Sequence, residues 1–355
     1  MQQDDLFSQK ATVHELVEIH TAQGLLKAAT NHIKEPGRNA PLDILSGRRG
    51  AKTIRTAAAN AEKAAAKTLG DASQADELHA YAYAAWAHAG LPRRDLKDPS
   101  ARWTVRTDYA TLVVSPGVRR MADGETGDPK PLGCPSGSYA RVALLDWMSQ
   151  AVRNGSREVY IGKSVSDALE RMSIPRSGSA INALTAQIER LAFCTISFSL
   201  EGNNGRGMFL NQQIVERGNY GFSKAVAGRG GEKRFIDSVT LTQGYYEQLM
   251  RYPVVLDPAA IVDLHESSTA LDIYTWLAWR LPAIKEPTRV GWVALKAQLG
   301  MGTGAMKNFK TQFRTCLLAA HAAYRDARIE LVDEGLILIP SPPPVPRKTL
   351  IAVGG

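Results

Sequence analysis

The 355-residue sequence is poor in cysteine and contains no long apolar run. Its three cysteines, Cys134, Cys194 and Cys316, are far apart, form no Cys-x-x-Cys pair and have no histidine at metal-ligand spacing. This pattern argues against a disulfide framework or a zinc site, so we expect no metal. No stretch of about 18 apolar residues occurs, and the polar, acidic N-terminus has no apolar run behind it. The sequence therefore predicts a cytoplasmic protein without a membrane span.

The sequence motifs of three kinds of enzyme are incomplete. Residues 162–164 match the end of a phosphate-binding loop, but the glycine required five positions before Gly162 is Arg157. The glycines within 300–304 lie between two predicted helices, which is the wrong context for a dinucleotide fingerprint. A rolling-circle nicking protein needs a His-x-His pair beside its tyrosine, and the seven histidines include none. We predict no enzymatic activity and no cofactor.

Basic residues outnumber acidic ones. Lys and Arg total 43 against 35 Asp and Glu, which gives a net charge of +8 and a pI near 9.3. This balance favours nucleic acid or an anionic membrane surface as partner, although many soluble proteins are mildly basic. The Ala- and Lys-rich stretch 51–69 predicts a helix that either contacts phosphates or is simply solvated.

One order of predicted elements occurs twice. The first set is a helix, a strand, a short helix, a longer helix and a hairpin, over 139–154, 158–161, 164–172, 179–193 and 194–215. The second set has the same order over 268–281, 288–292, 292–300, 305–327 and 328–340. A helix-turn-helix followed by a β-ribbon is a winged helix. The predicted fold is α+β, mainly helical, with two tandem winged-helix domains preceded by a helical N-terminal arm.

These patterns divide the chain into five predicted segments. They are a helical, partly mobile N-terminal region (1–100), a first winged-helix domain (101–218), a Gly-rich basic linker or loop (219–234), a second winged-helix domain (235–345) and a C-terminal tail (346–355). Residues 219–234 fit a flexible linker, a second hairpin loop, or both in part.

The longer helix of the second set has an apolar side and an opposite side without acidic residues. The apolar side includes Phe309 and Phe313 at helical spacing. The opposite side and its flank combine cations for phosphates with groups that read base edges, namely Lys307, Asn308, Lys310, Thr311 and Arg314. The alternative is a solvated face, but such faces usually mix Glu with Lys. We predict that this helix contacts DNA.

The longer helix of the first set is predicted to turn small polar residues outward. The candidate DNA contacts are Arg176 and Ser177 in the preceding turn, and Ser179, Asn182 and Arg190 on the helix. Small side chains let a helix enter a major groove, but they also suit an interface between domains or subunits. Arg206, at the predicted hairpin tip, could reach a phosphate or the minor groove, or belong to an ordinary turn.

Several stretches resemble the plasmid-encoded RepA family of replication initiators, of the winged-helix, iteron-binding type. They are residues 131–175, 184–198, 252–282 and 336–345, within a likeness that spans about 103–345. The resemblance implies a protein that binds repeated sites in double-stranded origin DNA and recruits the host initiator and replicative helicase, with a homodimer possible. The alternatives are a winged-helix transcriptional repressor or partition regulator, or a nicking enzyme of rolling-circle type.

Overall fold

The computed structural model describes residues 79–108, 110–118, 129–201, 207–223, 233–300 and 304–345. The predicted N-terminal arm, the C-terminal tail and Arg206 lie outside these residues, apart from the end of the arm at 79–100. The first half contains β1 (Ala80–Tyr83), α1 (Ala85–His88), β2 (Trp103–Arg106), β3 (Ala110–Ser115), α2 (Gly137–Asn154), β4 (Glu158–Tyr160), α3 (Val165–Arg171), α4 (Gly178–Phe193), β5 (Thr195–Glu201), β6 (Gly207–Gln213), β7 (Val215–Ser223) and β8 (Lys233–Leu241).

The second half continues with α5 (Gln243–Arg251), β9 (Pro253–Leu256), α6 (Pro258–Leu264), α7 (Ser268–Arg280), β10 (Thr288–Gly291), α8 (Trp292–Gln298), α9 (Met306–Ala323), β11 (Arg328–Val332) and β12 (Gly335–Ile339). The strands form antiparallel sheets in the orders β1–β9, β2–β3–β5–β6, β4–β8–β7 and β10–β12–β11. The predicted combination of helices with sheets is therefore confirmed as a mixed fold. No helix within the described ranges is long and apolar enough to cross a membrane.

The hairpin predicted after the first long helix forms, as β5–β6, but it does not pair with β4. It extends the sheet of β2 and β3 instead, because Ile196 and Phe198 on β5 are buried with Leu112 and Val114 of β3. The partner of β4 is β8, with Val159 opposite Val239.

Residues 219–234, for which the sequence leaves a linker and a hairpin loop as alternatives, begin on β7 and end on β8. These two strands pair along most of their length, from Val215↔Leu241 to Ser223↔Lys233. Because β8 also pairs with β4, the hairpin is joined to the preceding helices by a sheet. The sheet of β4, β8 and β7 therefore crosses the predicted boundary near residue 235.

The second set of elements follows its predicted order closely. β10 pairs with β12, and β12 pairs with β11 across the turn at Asp333 and Glu334. Gly300 ends α8 with φ of +63°, and a Cβ atom there would lie 2.4 Å from the Trp103 ring. A glycine is needed at this turn because any side chain would be strained and would collide with that ring.

Both halves share one hydrophobic core. β1 from the first half pairs with β9 from the second, with Ala80 opposite Leu256. The core includes the fully buried Trp147 of α2 and Tyr274 of α7. Burial of such large apolar side chains supplies the main favourable term in folding, so the two halves stabilise each other.

Candidate nucleic-acid interface

Helix α9 has the two-sided character that the sequence predicts. Its Phe309, Phe313 and Leu317 side chains are buried in the core. Lys307, Asn308 and Thr311 are exposed, whereas Lys310 and Arg314 are half-buried. The Thr311 hydroxyl donates to the Lys307 carbonyl at 3.1 Å, within the helix. The exposed side of α9 therefore carries hydrogen-bonding groups and positive charge.

The half-buried cations of α9 lie over an aromatic ring. The Lys310 Nζ atom is 5.1 Å from the Trp292 ring centroid, and the Arg314 Cζ atom is 5.7 Å from it. The rings of Phe309 and Phe313 meet the same indole edge to face, at centroid distances of 6.2 and 5.6 Å. Trp292 is the first residue of α8. Cation–π attraction therefore holds the two basic groups at the start of that helix.

The positive charges on α9 are not neutralised by carboxylates within the part of the chain that the structure describes. Lys307, Lys310 and Arg314 form no ion pair there, and the Arg314 Nε atom is buried without a hydrogen-bond partner. Lys310 makes only a long contact of 3.4 Å with the Asp333 carbonyl. An unpaired guanidinium or ammonium group on an exposed helix face is free to bind an external anion such as a phosphate.

The first turns of α4 present a smaller polar surface. The Ser177 hydroxyl caps the helix by accepting a 3.1 Å hydrogen bond from the Ala180 amide, and it lies 3.0 Å from the Ser179 hydroxyl. Arg176, Ser177, Ser179 and Asn182 are all exposed. The opposite side of α4 is buried through Ile181, Leu184, Ile188 and Leu191.

Arg190 lies on the outward face that the sequence predicts, but its guanidinium is bound within the protein rather than open to solvent. Its guanidinium binds Asp95 through two hydrogen bonds of 2.6 and 2.9 Å, and its Nε donates to the Leu132 carbonyl at 2.8 Å. The side chain is only 17% exposed. The same contact lowers the pKa of the Asp95 carboxyl below its ordinary value, chiefly through the hydrogen bond from Arg190. Arg190 therefore joins α4 to other segments of the protein.

Sequence reasoning missed two groups beside these helices. Trp292 lies where a predicted strand meets a predicted short helix, and an aromatic residue at such a junction is a signal for a packing centre. Arg93, near the end of the predicted N-terminal region, donates a 3.1 Å hydrogen bond to Gln312 on α9. No local pattern could have shown this second contact, because its partners are 219 residues apart.

Across the described ranges, no three His, Cys, Asp or Glu side chains lie close enough together to hold a metal ion. Cys134 and Cys194 are buried and free, and burial raises the pKa of both thiols. Neither thiol is therefore an activated nucleophile.

Comparison with known proteins supports the family resemblance. Residues 134–293 match the profile of the family described as plasmid encoded RepA protein, which confirms the resemblance to the RepA family of replication initiators over that segment. A crystal structure of selenomethionine derivatives of domains 2 and 3 of RctB is similar at 12% identity and a TM-score of 0.47, covering 73% of this chain and 98% of that one. A second structure of RctB domains 2–3 has 10% identity and a TM-score of 0.39, with coverages of 68% and 92%. No curated protein matches the sequence.

Proposed function

We propose that this protein is a plasmid replication initiator that binds repeated sites in double-stranded origin DNA through two helix-turn-helix elements. The family match over residues 134–293 supports the initiator class. The observation that carries DNA binding is the exposed side of α9, where Lys307, Lys310 and Arg314 have no carboxylate partner among the described residues. The protein would act in the cytoplasm and recruit the host initiator and replicative helicase, either as a monomer or as a homodimer.

The strand connections support a winged-helix arrangement in both halves. In the second half, α7, α8 and α9 pack with a sheet of order β10–β12–β11. In the first half, α2, α3 and α4 accompany a sheet of the corresponding order β4–β8–β7. In the first half, β4 precedes α3 and pairs with β8, the last strand of its hairpin. In the second half, β10 precedes α8 and pairs with β12, which is also the last strand of its hairpin. In this arrangement, the wing of the first half is the β7–β8 hairpin. The β5–β6 hairpin, which follows α4 directly, is an insertion between α4 and that wing.

The geometry favours α9 as the principal reading element. Its first turns offer the amide of Asn308 and the hydroxyl of Thr311, which can reach base edges in a major groove. The turn between β11 and β12 carries Asp333 and Glu334, so phosphate contact falls to the helix rather than to this acidic wing. Arg176, Ser179 and Asn182 form the corresponding surface on α4, and we propose no catalytic step for either surface.

Salt titration of DNA binding tests the assignment of the cations. Lys307→Ala, Lys310→Ala and Arg314→Ala should each weaken binding to DNA that flanks the gene. Each should also reduce the slope of log affinity against log salt by about 0.9 per lost phosphate contact. Lys285→Ala is the matched control, because Lys285 is exposed in the turn after α7. An unchanged slope in all three α9 variants would contradict phosphate contact by this helix.

Footprinting on the same flanking DNA separates an initiator from the alternatives. Protection of several direct repeats beside an AT-rich tract is the expected result. Protection of a single palindrome would favour a transcriptional repressor or partition regulator instead. Incubation with supercoiled plasmid and Mg²⁺ or Mn²⁺ completes the test, because a nicked product would overturn the proposal that the protein lacks catalytic chemistry.

A further inference from the structure

Residues 91–95, here called the strap, cross the protein between the two proposed DNA-reading helices. We propose that the strap fixes α4 and α9 relative to each other, and so determines the spacing between the two DNA segments that the protein binds. The positional part of this inference rests on side-chain contacts in the structure. Its consequence for DNA rests on the proposed function.

One end of the strap is anchored by a buried arginine. The Arg141 Nη2 atom donates to the Leu91 carbonyl at 2.6 Å, and Nη1 donates to the Pro92 carbonyl at 3.1 Å. The same guanidinium binds both carboxylate oxygens of Asp272 on α7, at 2.6 and 2.7 Å. Since the Arg141 side chain is only 6% exposed, these bonds are shielded from competing water. The start of the strap is thus held between α2 and α7.

The remainder of the strap reaches each reading helix separately. Arg93 donates a 3.1 Å hydrogen bond to the Gln312 side chain of α9. Two residues further on, Asp95 binds the Arg190 guanidinium of α4 and accepts a hydrogen bond from the Ser136 hydroxyl. Two polar side chains of the strap, separated by Arg94, therefore connect α9 to α4.

The contact with α4 lies on the side that reads DNA in the proposal. Arg190 follows Ser179 by eleven residues, which is about three helical turns, so the two side chains lie on nearly the same face. The strap covers the end of that face and leaves Ser179 and Asn182 exposed in the first turns. The strap therefore limits the open part of α4 as well as its position.

A rigid connection between two DNA-reading helices has a measurable consequence. DNA repeats every 10 to 10.5 base pairs, so about five added base pairs turn a second site to the opposite face of the duplex. A protein with fixed helices should bind such DNA at least tenfold more weakly. A protein whose helices can shift should lose less affinity, because it can follow the displaced site.

The position of the helices can be tested without DNA. Spin labels at Ser179→Cys and Asn308→Cys, in a Cys316→Ala background, report the distance between α4 and α9. The distance is measured by double electron–electron resonance spectroscopy. The strap variant is Arg93→Ala with Asp95→Asn. Asp98→Asn is the matched control, since the Asp98 carboxylate, among the described residues, hydrogen-bonds only to Ser100 in its own turn. We expect a broader distance distribution in the strap variant alone, and an unchanged distribution there would overturn the proposal.

The DNA consequence is tested on sequences selected from a random double-stranded pool by the unmodified chain. Base pairs are then inserted between the two protected segments, and binding is measured for the unlabelled wild type, strap variant and Asp98→Asn control. The wild type and control should lose at least tenfold at a half-turn insertion, and the strap variant clearly less. If all three proteins lost the same affinity at a half-turn insertion, the proposed role of the strap would be overturned. The proposed function would not be affected by that result. Failure to enrich any sequence would instead overturn the proposed function and, with it, this consequence for DNA.

Discussion

The indole Nε1 of Trp292 donates a 2.7 Å hydrogen bond to the main-chain carbonyl of Asp333, in the turn between β11 and β12. The Trp292 amide also donates to the neighbouring Glu334 carbonyl at 3.1 Å. Because Lys310 and Arg314 lie over the same indole, one side chain connects the hairpin turn to the basic side of α9. Trp292 thereby positions the hairpin against the helix that we propose reads DNA.

Replacing Trp292 by Phe should destabilise the protein by about 1–2 kcal/mol, because the Asp333 carbonyl loses its donor and the cation–π attraction weakens. Urea unfolding measures this change as a lower midpoint at an unchanged slope. Trp279→Phe serves as a control, because Trp279 is only half-buried and its indole makes no hydrogen bond with the described residues. Equal stability of wild type and Trp292→Phe would contradict the structural importance of the indole bond.

The Arg141–Asp272 pair should be costly to break from one side. Arg141→Met leaves a buried carboxylate without its partner, and we expect a loss of about 3–5 kcal/mol. The double variant Arg141→Met with Asp272→Leu should recover part of this loss, because no uncompensated buried charge remains. Urea unfolding of both variants measures the difference.

The exposed Arg217–Glu158 pair provides the comparison for this experiment. Its side chains are 69% and 76% exposed and lie 3.6 Å apart. Arg217→Met should therefore cost less than about 1 kcal/mol. If Arg141→Met cost no more than Arg217→Met, the buried pair would have no special structural role.

His88 should make the protein acid-sensitive below its ordinary titration range. Burial, with a smaller contribution from Arg280, lowers the pKa of His88 to about 4, and its ring lies 4.3 Å from that of Trp279. Between pH 6.5 and 4 the unfolded chain binds a proton at this position that the folded chain does not. Folding therefore loses about 2 kcal/mol as the pH falls through this window.

The variant His88→Phe removes this titration, so its stability should fall less than that of the wild type between pH 6.5 and 4. Thermal or urea unfolding across the pH range gives the comparison, and His79→Gln is a histidine control. Parallel pH profiles for the wild type and His88→Phe would show that His88 does not contribute to acid sensitivity.

Asp263 should have the opposite dependence on pH. Burial, reinforced by repulsion from Asp257 and opposed by His265, raises its pKa to about 6, and its Oδ1 atom has no hydrogen-bond partner within the described ranges. The folded state therefore binds a proton that the unfolded state has released, and stability is lost as the pH rises from about 4 to 6. Ionised Asp263 consequently destabilises the fold at neutral pH.

The variant Asp263→Asn should be more stable than the wild type by about 1 kcal/mol at pH 7.5, after allowance for partial solvent screening. This advantage should shrink as the pH falls from 6 to 4 and vanish well below pH 4, where Asp263 is protonated in both states. Asp108→Asn, at an exposed position, is the control. An advantage that persisted unchanged at pH 3.5 would point to a cause other than ionisation.

The sequence alone determined the order of the helices within the two repeated sets and the two faces of α4 and α9. Both properties depend on residues three and four positions apart, so a short window of sequence contains the whole signal. The stretches that resemble the RepA family are likewise continuous, and the family match confirms the resemblance within residues 134–293. The DNA contacts assigned to the exposed faces remain predictions.

Only the tertiary structure decided which distant segments meet. The strand β4 could not be paired from sequence, because Val159 is compatible with any buried strand and its partner Val239 lies on a hairpin far along the chain. Arg190 belongs to the predicted outward face by helical spacing, yet Asp95, 95 residues away, binds it. Strand pairing and ion pairs depend on the three-dimensional approach of remote residues, and no local periodicity encodes that approach.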